Sequence, residues 1–364
     1  MTGKMKKKNQ GTTSTNGKGK PKKKAGTPIN IKTASNPPYL VCIGASAGGL
    51  DAVSELISGF TSSLNAAVFI VLHLSKSAIG EILIHRIKKQ SPLPCYLAEH
   101  KRKIKPGEIY VAPPDAHLLA KTDHMVIGHG PAENRFRPSI DVLFRSAAVS
   151  HGPKAIGVVL TGFLNDGTSG MWAIKQSGGH TLVQDPNEAE YPDMPLSVLE
   201  SIEVDYSLPL KAMANVIVQI IKDNQVKSAI SAPEKIIAES LLSEKMATRI
   251  ESLDEVGESS LFSCPDCSGR LWKVINGKLT HYRCHVGHSY SEKDLVLRQS
   301  EATEATLWVA LRMMEERNTL LKRISRENKE RGLHKISQSY SEQVEQLQWH
   351  IDTLKALLLG KKHS

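Results

Sequence analysis

At 364 residues the chain is too long for one small domain, and its formal charge of +10 invites a polyanion-binding reading until the charge is located. Residues 1–36 hold ten lysines and no acidic residue, which leaves 37 basic against 37 acidic residues beyond Asn36. The neutral remainder excludes a uniformly basic body. Five cysteines without a secreted disulfide framework point to the cytoplasm.

Residues 1–36 are rich in Gly, Thr, Ser, Asn and Lys and are expected to be a disordered tail. The tail has no apolar signal core, and no window of the chain is long enough for a membrane span. Loose attraction to an anionic membrane or nucleic acid stays open for it, although no aromatics interleave the lysines. From Tyr39 to about Asp223, short apolar runs alternate with helical patterns. This is the signature of a doubly wound α/β domain with a mostly parallel sheet.

Candidate strands are 39–44, 66–72, 94–98, 108–112, 155–160 and 180–184. Candidate helices are 48–60, 79–90, 139–150, 168–177, 194–203 and 210–222. His117–Lys121 and Met125–His129, joined by Thr122-Asp-His124, read as an antiparallel hairpin at the sheet edge. Cys42 and Cys95 lie in apolar runs and read as buried thiols.

Residues 224–261 form a polar linker with a helical stretch near 234–250, and a compact cysteine module spans 262–291. Beyond it, 292–364 reads as a helical tail. Leu307, Leu311, Met314, Asn318 and Leu321 step by four and three, as do Val344, Leu347, Ile351, Leu354 and Leu358. A break at Arg331-Gly332 allows either a helical hairpin or a coiled coil across a dimer. Asn318 at a core-like position would favour a defined register. The tail is thus expected to serve oligomerisation or docking of other sensory proteins.

Three residues stand just past apolar runs: Ser46 in Gly44-Ala-Ser-Ala-Gly-Gly49, His73 after Val68–Leu72, and Asp166 in Thr161-Gly-Phe-Leu-Asn-Asp166. In a parallel sheet such strand ends open on one edge, so residues distant in sequence can share one crevice. A serine there needs a base and the base needs an orienting carboxylate, which makes these three a candidate hydrolase triad. Asp115, Asp141, Asp185 and Asp193 are alternative carboxylates. A glycine-flanked serine before a helix also suits phosphate binding, and the residues alone leave both readings open.

The segments around Ser46, His73 and Asp166 resemble the catalytic domain of CheB-type protein-glutamate methylesterases. So do Ile109–Leu118, Arg137-Pro-Ser-Ile-Asp141-Val-Leu-Phe144, Gln184-Asp-Pro186 and Met194-Pro195. The likeness spans roughly 39–223, placing a methylesterase domain at 37–223. It implies Ser46 as nucleophile, His73 as base and Asp166 as its partner, with no catalytic cofactor. The implied reaction is hydrolysis of glutamate γ-methyl esters, and often glutamine deamidation, on methylated chemoreceptors. Backbone N–H groups near Ala47 and Phe163 are the expected oxyanion donors.

The family often has threonine at Ala47 and methionine at Phe163. Arg135 and Arg137 are expected either to position substrate or to form a surface pair, including a helix-entry contact to Asp141. His117 reads as a structural hydrogen-bonding residue. Chemotaxis members usually carry a phosphorylatable receiver domain, and with only a Lys-rich tail before this domain that control is expected to be absent. A non-catalytic scaffold on the same fold and a hydrolase of an unrelated ester are the competing readings.

Cys264-Pro-Asp-Cys267 and Cys284-His285-Val-Gly-His288 have the spacing of two metal knuckles, a zinc-ribbon-like pattern. Three thiolates and one imidazole suit a structural zinc, with Cys264, Cys267, Cys284 and His288 (or His285) as ligands.

Overall fold

A computed structural model describes residues 37–73, 80–224, 231–245 and 251–360. The Lys-rich tail lies outside the described residues. The main sheet uses β1 (Tyr39–Ala45), β2 (Ala66–Leu72), β3 (Cys95–Leu97) and β4 (Ile109–Val111). With β5 (His117–Ala120) and β6 (Met125–Gly128) counted as a hairpin, it continues through β7 (Ala155–Val159), β8 (His180–Gln184) and β9 (Tyr206–Leu208). Its order is β3-β4-β2-β1-β7-β8-β9, with every pairing parallel.

Strands β1, β2 and β7 are buried along their whole length, which explains their unbroken Val/Ile/Ala runs. Alternate side chains feed two cores. Val41, Ile43, Val68 and Ile70 pack with α1 (Gly49–Ser58), α2 (Gly80–Gln90) and α6 (Leu210–Lys222). Leu40, Cys42, Phe69 and Val71 pack with α3 (Ile140–His151), α4 (Thr168–Gln176) and α5 (Asp193–Ser201). Burial raises the Cys42 thiol and raises Cys95 to about 12, as expected of inert core cysteines.

The chain runs outward from β1 through β2 and then returns to the other side of β1 with β7. That reversal opens a crevice at the carboxyl ends of β1 and β7. The elements follow the sequence-based ones closely, with β9 as an addition. The hairpin differs: β5 and β6 form a separate two-stranded sheet, while β3 and β9 hold the main edges. It lies instead against α3, where Ala120 N–H donates to Ser146 Oγ at 2.9 Å.

The expected linker contains α7 (Glu234–Lys245), which is seated on the first domain. Lys121 reaches its Glu244 at 2.6 Å, and Ser243 Oγ donates to Glu133 at 2.8 Å. After α8 (Glu251–Asp254), an antiparallel sheet is built in order from β10 (Glu258–Ser263), β11 (Arg270–Asn276), β12 (Leu279–Cys284) and β13 (Ser289–Ser291). It therefore begins four residues before the expected boundary at 262.

Ser291 caps α9 (Glu292–Glu330) by accepting the Asp294 N–H at 3.1 Å. α9 folds back on α10 (His334–Leu358), a hairpin within one chain. Leu311, Leu321 and Ile351 are buried, and Asn318 bonds Gln348 at 2.7 Å. No helix among the described residues is long and apolar enough to cross a membrane.

Candidate active site

Ser46 and His73 are the residues that follow the paired ends Ala45 and Leu72 of β1 and β2. The His73 N–H donates to Ala45 O at 3.1 Å and the Ser46 N–H to Thr161 O at 3.0 Å. These bonds bring the ends of β1, β2 and β7 to one point. Gly162 is required there, because a Cβ on it would lie 2.6 Å from Ser46 Cβ and would strike Met194 Sδ. Gly48, at φ 69°, caps α1 in a left-handed conformation that a side chain would strain.

Asp166 is fully buried after β7. Its Oδ2 lies 2.9 Å from His73 Nε2 and accepts the Ile140 N–H at 2.6 Å. Its Oδ1 accepts from Ser139 Oγ at 2.9 Å and Asn134 Nδ2 at 3.0 Å. The carboxylate thus sits on the amino end of α3, where unpaired N–H groups favour an anion. Burial opposes its charge, but the bonds from His73, Asn134 and Ile140 leave it below the usual aspartate range. Asp141, also buried, is raised by desolvation and then by the Asp166 charge.

The His73 imidazole is nearly buried and stacked on Phe136, with ring centroids 3.5 Å apart and planes 7° from parallel. Nε2 is committed to Asp166, while Nδ1 has no hydrogen-bond partner among the described residues. Ala47 and Phe163, the expected oxyanion donors, flank the serine, and neither N–H is hydrogen-bonded among the described residues. The Phe163 ring is half exposed and leans on Tyr191 at 4.4 Å.

The two arginines are each paired with a carboxylate. Arg137 is held by Asp115 at 2.8 and 3.0 Å and by the carbonyls of His129 and Gly130. Arg135 pairs with Glu301 of α9 at 2.7 Å. Asn134, not an arginine, makes the expected helix-entry contact to Asp141, at 2.7 Å.

His117 accepts the Ser139 N–H at Nδ1 (3.2 Å), so its Nε2 carries the proton and donates to Pro131 O at 2.9 Å. It is a structural histidine, and burial lowers its pKa. Burial and then Lys154 lower buried His151 to about 3. The unfolded chain therefore binds more protons than the folded one below about pH 6.5, so stability falls on acidification through that window. Urea midpoints should drop between pH 7 and pH 4, and His151→Leu should flatten the drop. An unchanged slope in that variant would count against a buried neutral His151.

Three comparisons with known proteins bear on this arrangement. The CheB methylesterase family model matches residues 41–217. A Leptospira interrogans protein named "Putative protein-glutamate methylesterase/protein-glutamine glutaminase" is 38% identical over 185 residues, which are 50% of this chain and 95% of that protein. The chain belongs to the CheB methylesterase family. Protein-glutamate methylesterase FrzG of Myxococcus xanthus is 35% identical over 185 residues, covering 50% of this chain and 55% of that one. The crystal structure of the Thermotoga maritima CheB methylesterase catalytic domain is 30% identical, with a TM-score of 0.49, covering 50% of this chain and 98% of that one.

Outside the CheB methylesterase region, the ligand atoms of Cys264, Cys267, Cys284 and His288 all lie within 4.8 Å of one another. Cys267 Sγ is 3.6 Å from Cys284 Sγ, and His288 Nδ1 is 3.5 and 3.7 Å from Cys284 and Cys264. Zinc–sulfur bonds of about 2.3 Å give tetrahedral edges of about 3.7 Å, so the four donors fit one zinc ion. A turn closed by Cys284 N–H on His288 O (3.0 Å), with Gly287 at φ 119°, brings His288 rather than His285 into this group. Tyr290 OH lies 3.2 Å from Cys264 Sγ and would steady that ligand.

Proposed function

We propose that this chain is a serine esterase that hydrolyses glutamate γ-methyl esters on chemoreceptor-like sensory proteins and deamidates their glutamines. CheB-family methylesterases act on methylated chemoreceptor-like proteins. The single observation that carries the reading here is His73, tied to buried Asp166 through Nε2, with Nδ1 unpartnered among the described residues and its backbone N–H on Ala45, the residue before Ser46.

In this reading Asp166 fixes the proton on Nε2, so Nδ1 is the base. Ser46 Oγ attacks the ester carbonyl as Nδ1 takes its proton, and the Ala47 and Phe163 N–H groups receive the oxyanion. The imidazolium protonates departing methanol (ammonia in the deamidation). Water, giving a proton to Nδ1, then hydrolyses the acyl-enzyme to glutamate and free Ser46. Each oxyanion donor is expected to contribute about 3 kcal/mol. Arg137, with four of its five N–H donors on Asp115 and two carbonyls, would act mainly by shaping the turn beside His73.

Adding the chain to a methylated chemoreceptor should release methanol, and prior treatment with a serine-directed phosphonate should stop it. Methanol release that survives complete labelling would remove the reading. We assign residues 37–223 to catalysis, 224–261 to a connector, 262–291 to a zinc-ribbon-like module and 292–364 to helical interaction, in a cytoplasmic protein. Zinc at the module would be structural, held by all four donors with no open position. Metal analysis of the chain purified without a chelator should find about one zinc per chain, and such a sample holding no metal would refute the site.

A further inference from the structure

Four residues, Glu133 to Phe136, stand between the cysteine module and the triad. On the module side, Ser289 O accepts the Asn134 N–H at 2.8 Å, and Glu133 is bridged in parallel to Ser289. The Arg283 guanidinium lies 2.6 Å from Glu133, and Arg135 reaches Glu301 of α9. Arg283 and Ser289 adjoin Cys284 and His288, two of the four donors that converge in the module. On the catalytic side, the Asn134 side chain donates to both Asp141 and Asp166, and Phe136 is stacked on His73.

The turn itself is tight. Glu133 and Phe136 exchange backbone hydrogen bonds of 3.1 and 2.9 Å, with Asn134 at φ 48° and Arg135 at φ 74°. Asparagine tolerates that left-handed region and arginine does not favour it, so the surroundings must hold this backbone. What holds it on one side is the module.

We infer that the Glu133–Phe136 turn couples the cysteine module to the triad, making Asn134 and Phe136 positioning residues and an intact module a requirement for a reactive Ser46. The inference rests on Ser46, His73 and Asp166 as the reacting set. Asn134 holds the Asp166 carboxylate and Phe136 the plane of the imidazole. Both depend on a backbone anchored at Ser289 and Arg283.

The test uses the full chain in three forms: as purified, stripped with a chelator, and carrying Cys267→Ser. Hydrogen exchange at residues 133–136 and the rate of phosphonate labelling at Ser46 are read on each. Loss of the metal should speed exchange in the turn at least tenfold and slow labelling at least tenfold, while β1, β2 and β7 keep their protection. Zn²⁺ should reverse both changes in the stripped chain but not in Cys267→Ser. In an Asn134→Ala chain, where kcat falls more than KM rises, stripping should add little further loss.

Turn exchange or labelling within twofold of the untreated chain overturns the inference, because the module then does not reach the site. Equal opening of β1, β2 and β7 overturns it too, since the module would then stabilise the whole chain rather than position the triad. Failure of the esterase reading is separately visible: the untreated chain would not label at Ser46, whatever the turn does.

Discussion

Ser46→Ala is expected to abolish methanol release, with kcat falling by about five to six orders of magnitude, while the folded chain keeps its stability. The separation of the two effects follows from the geometry. Ser46 is fixed through its backbone, by the N–H donated to Thr161 O and the carbonyl that accepts the Gly49 N–H at 2.9 Å. Those scaffold bonds run through the backbone and not through the hydroxyl. Removing it deletes the nucleophile and leaves the elbow, the glycine contacts and the imidazole where they are. Initial rates on a methylated receptor and a thermal melt check both halves. A variant that keeps a tenth of wild-type turnover would remove Ser46 from the chemistry.

Asp166→Asn should cost about four orders of magnitude in kcat and, unlike the serine change, stability as well. The carboxylate receives donors on both oxygens: His73 and Ile140 on one, Ser139 and Asn134 on the other. An amide offers only one acceptor oxygen. If its NH₂ faces His73, the imidazole must accept at Nε2 and carry its proton on Nδ1, the nitrogen needed as base. If the NH₂ faces the other way, it meets the donors Ser139 and Asn134. Each buried donor left without an acceptor costs about 1–3 kcal/mol. Loss of kcat without loss of stability would mean that the helix end, not the carboxylate, orders this corner.

The strands that frame the site were legible because a parallel sheet covered on both faces writes itself as uninterrupted apolar runs. Ser46 and His73 stand out in the sequence because they directly follow such runs, and Asp166 because it lies a short turn past one. The four metal donors showed through their spacing, but the choice of His288 over His285 depended on the turn at Gly287. β9, three residues with an exposed centre, carries no such pattern.

The part played by Asn134 and Phe136 was hidden for a different reason. Nothing in a one-dimensional string links Asn134 to Ser289, or a phenylalanine to the imidazole it covers. Arg135 and Arg137 pair with Glu301 and Asp115, contacts that no sequence pattern announces. The charged positions of the interior carry no mark in the sequence either. Glu133, Arg145, Glu239 and Arg283 look like surface residues by type and are among the least exposed in the molecule.

That interior quartet has a consequence for how the polypeptide can be divided. Glu133 sits against both Arg145 and Arg283, and Glu239 lies 4.0 Å from Arg145 and 3.3 Å from His281. Burial alone would favour a protonated Glu133; the two guanidiniums keep it ionised, well below the ordinary carboxylate range. Its members come from four stretches of chain, so shortening the protein before Arg283 strips one guanidinium from a desolvated anion, a loss worth several kcal/mol. Ion pairs buried between them join the esterase segment to the cysteine-bearing sheet.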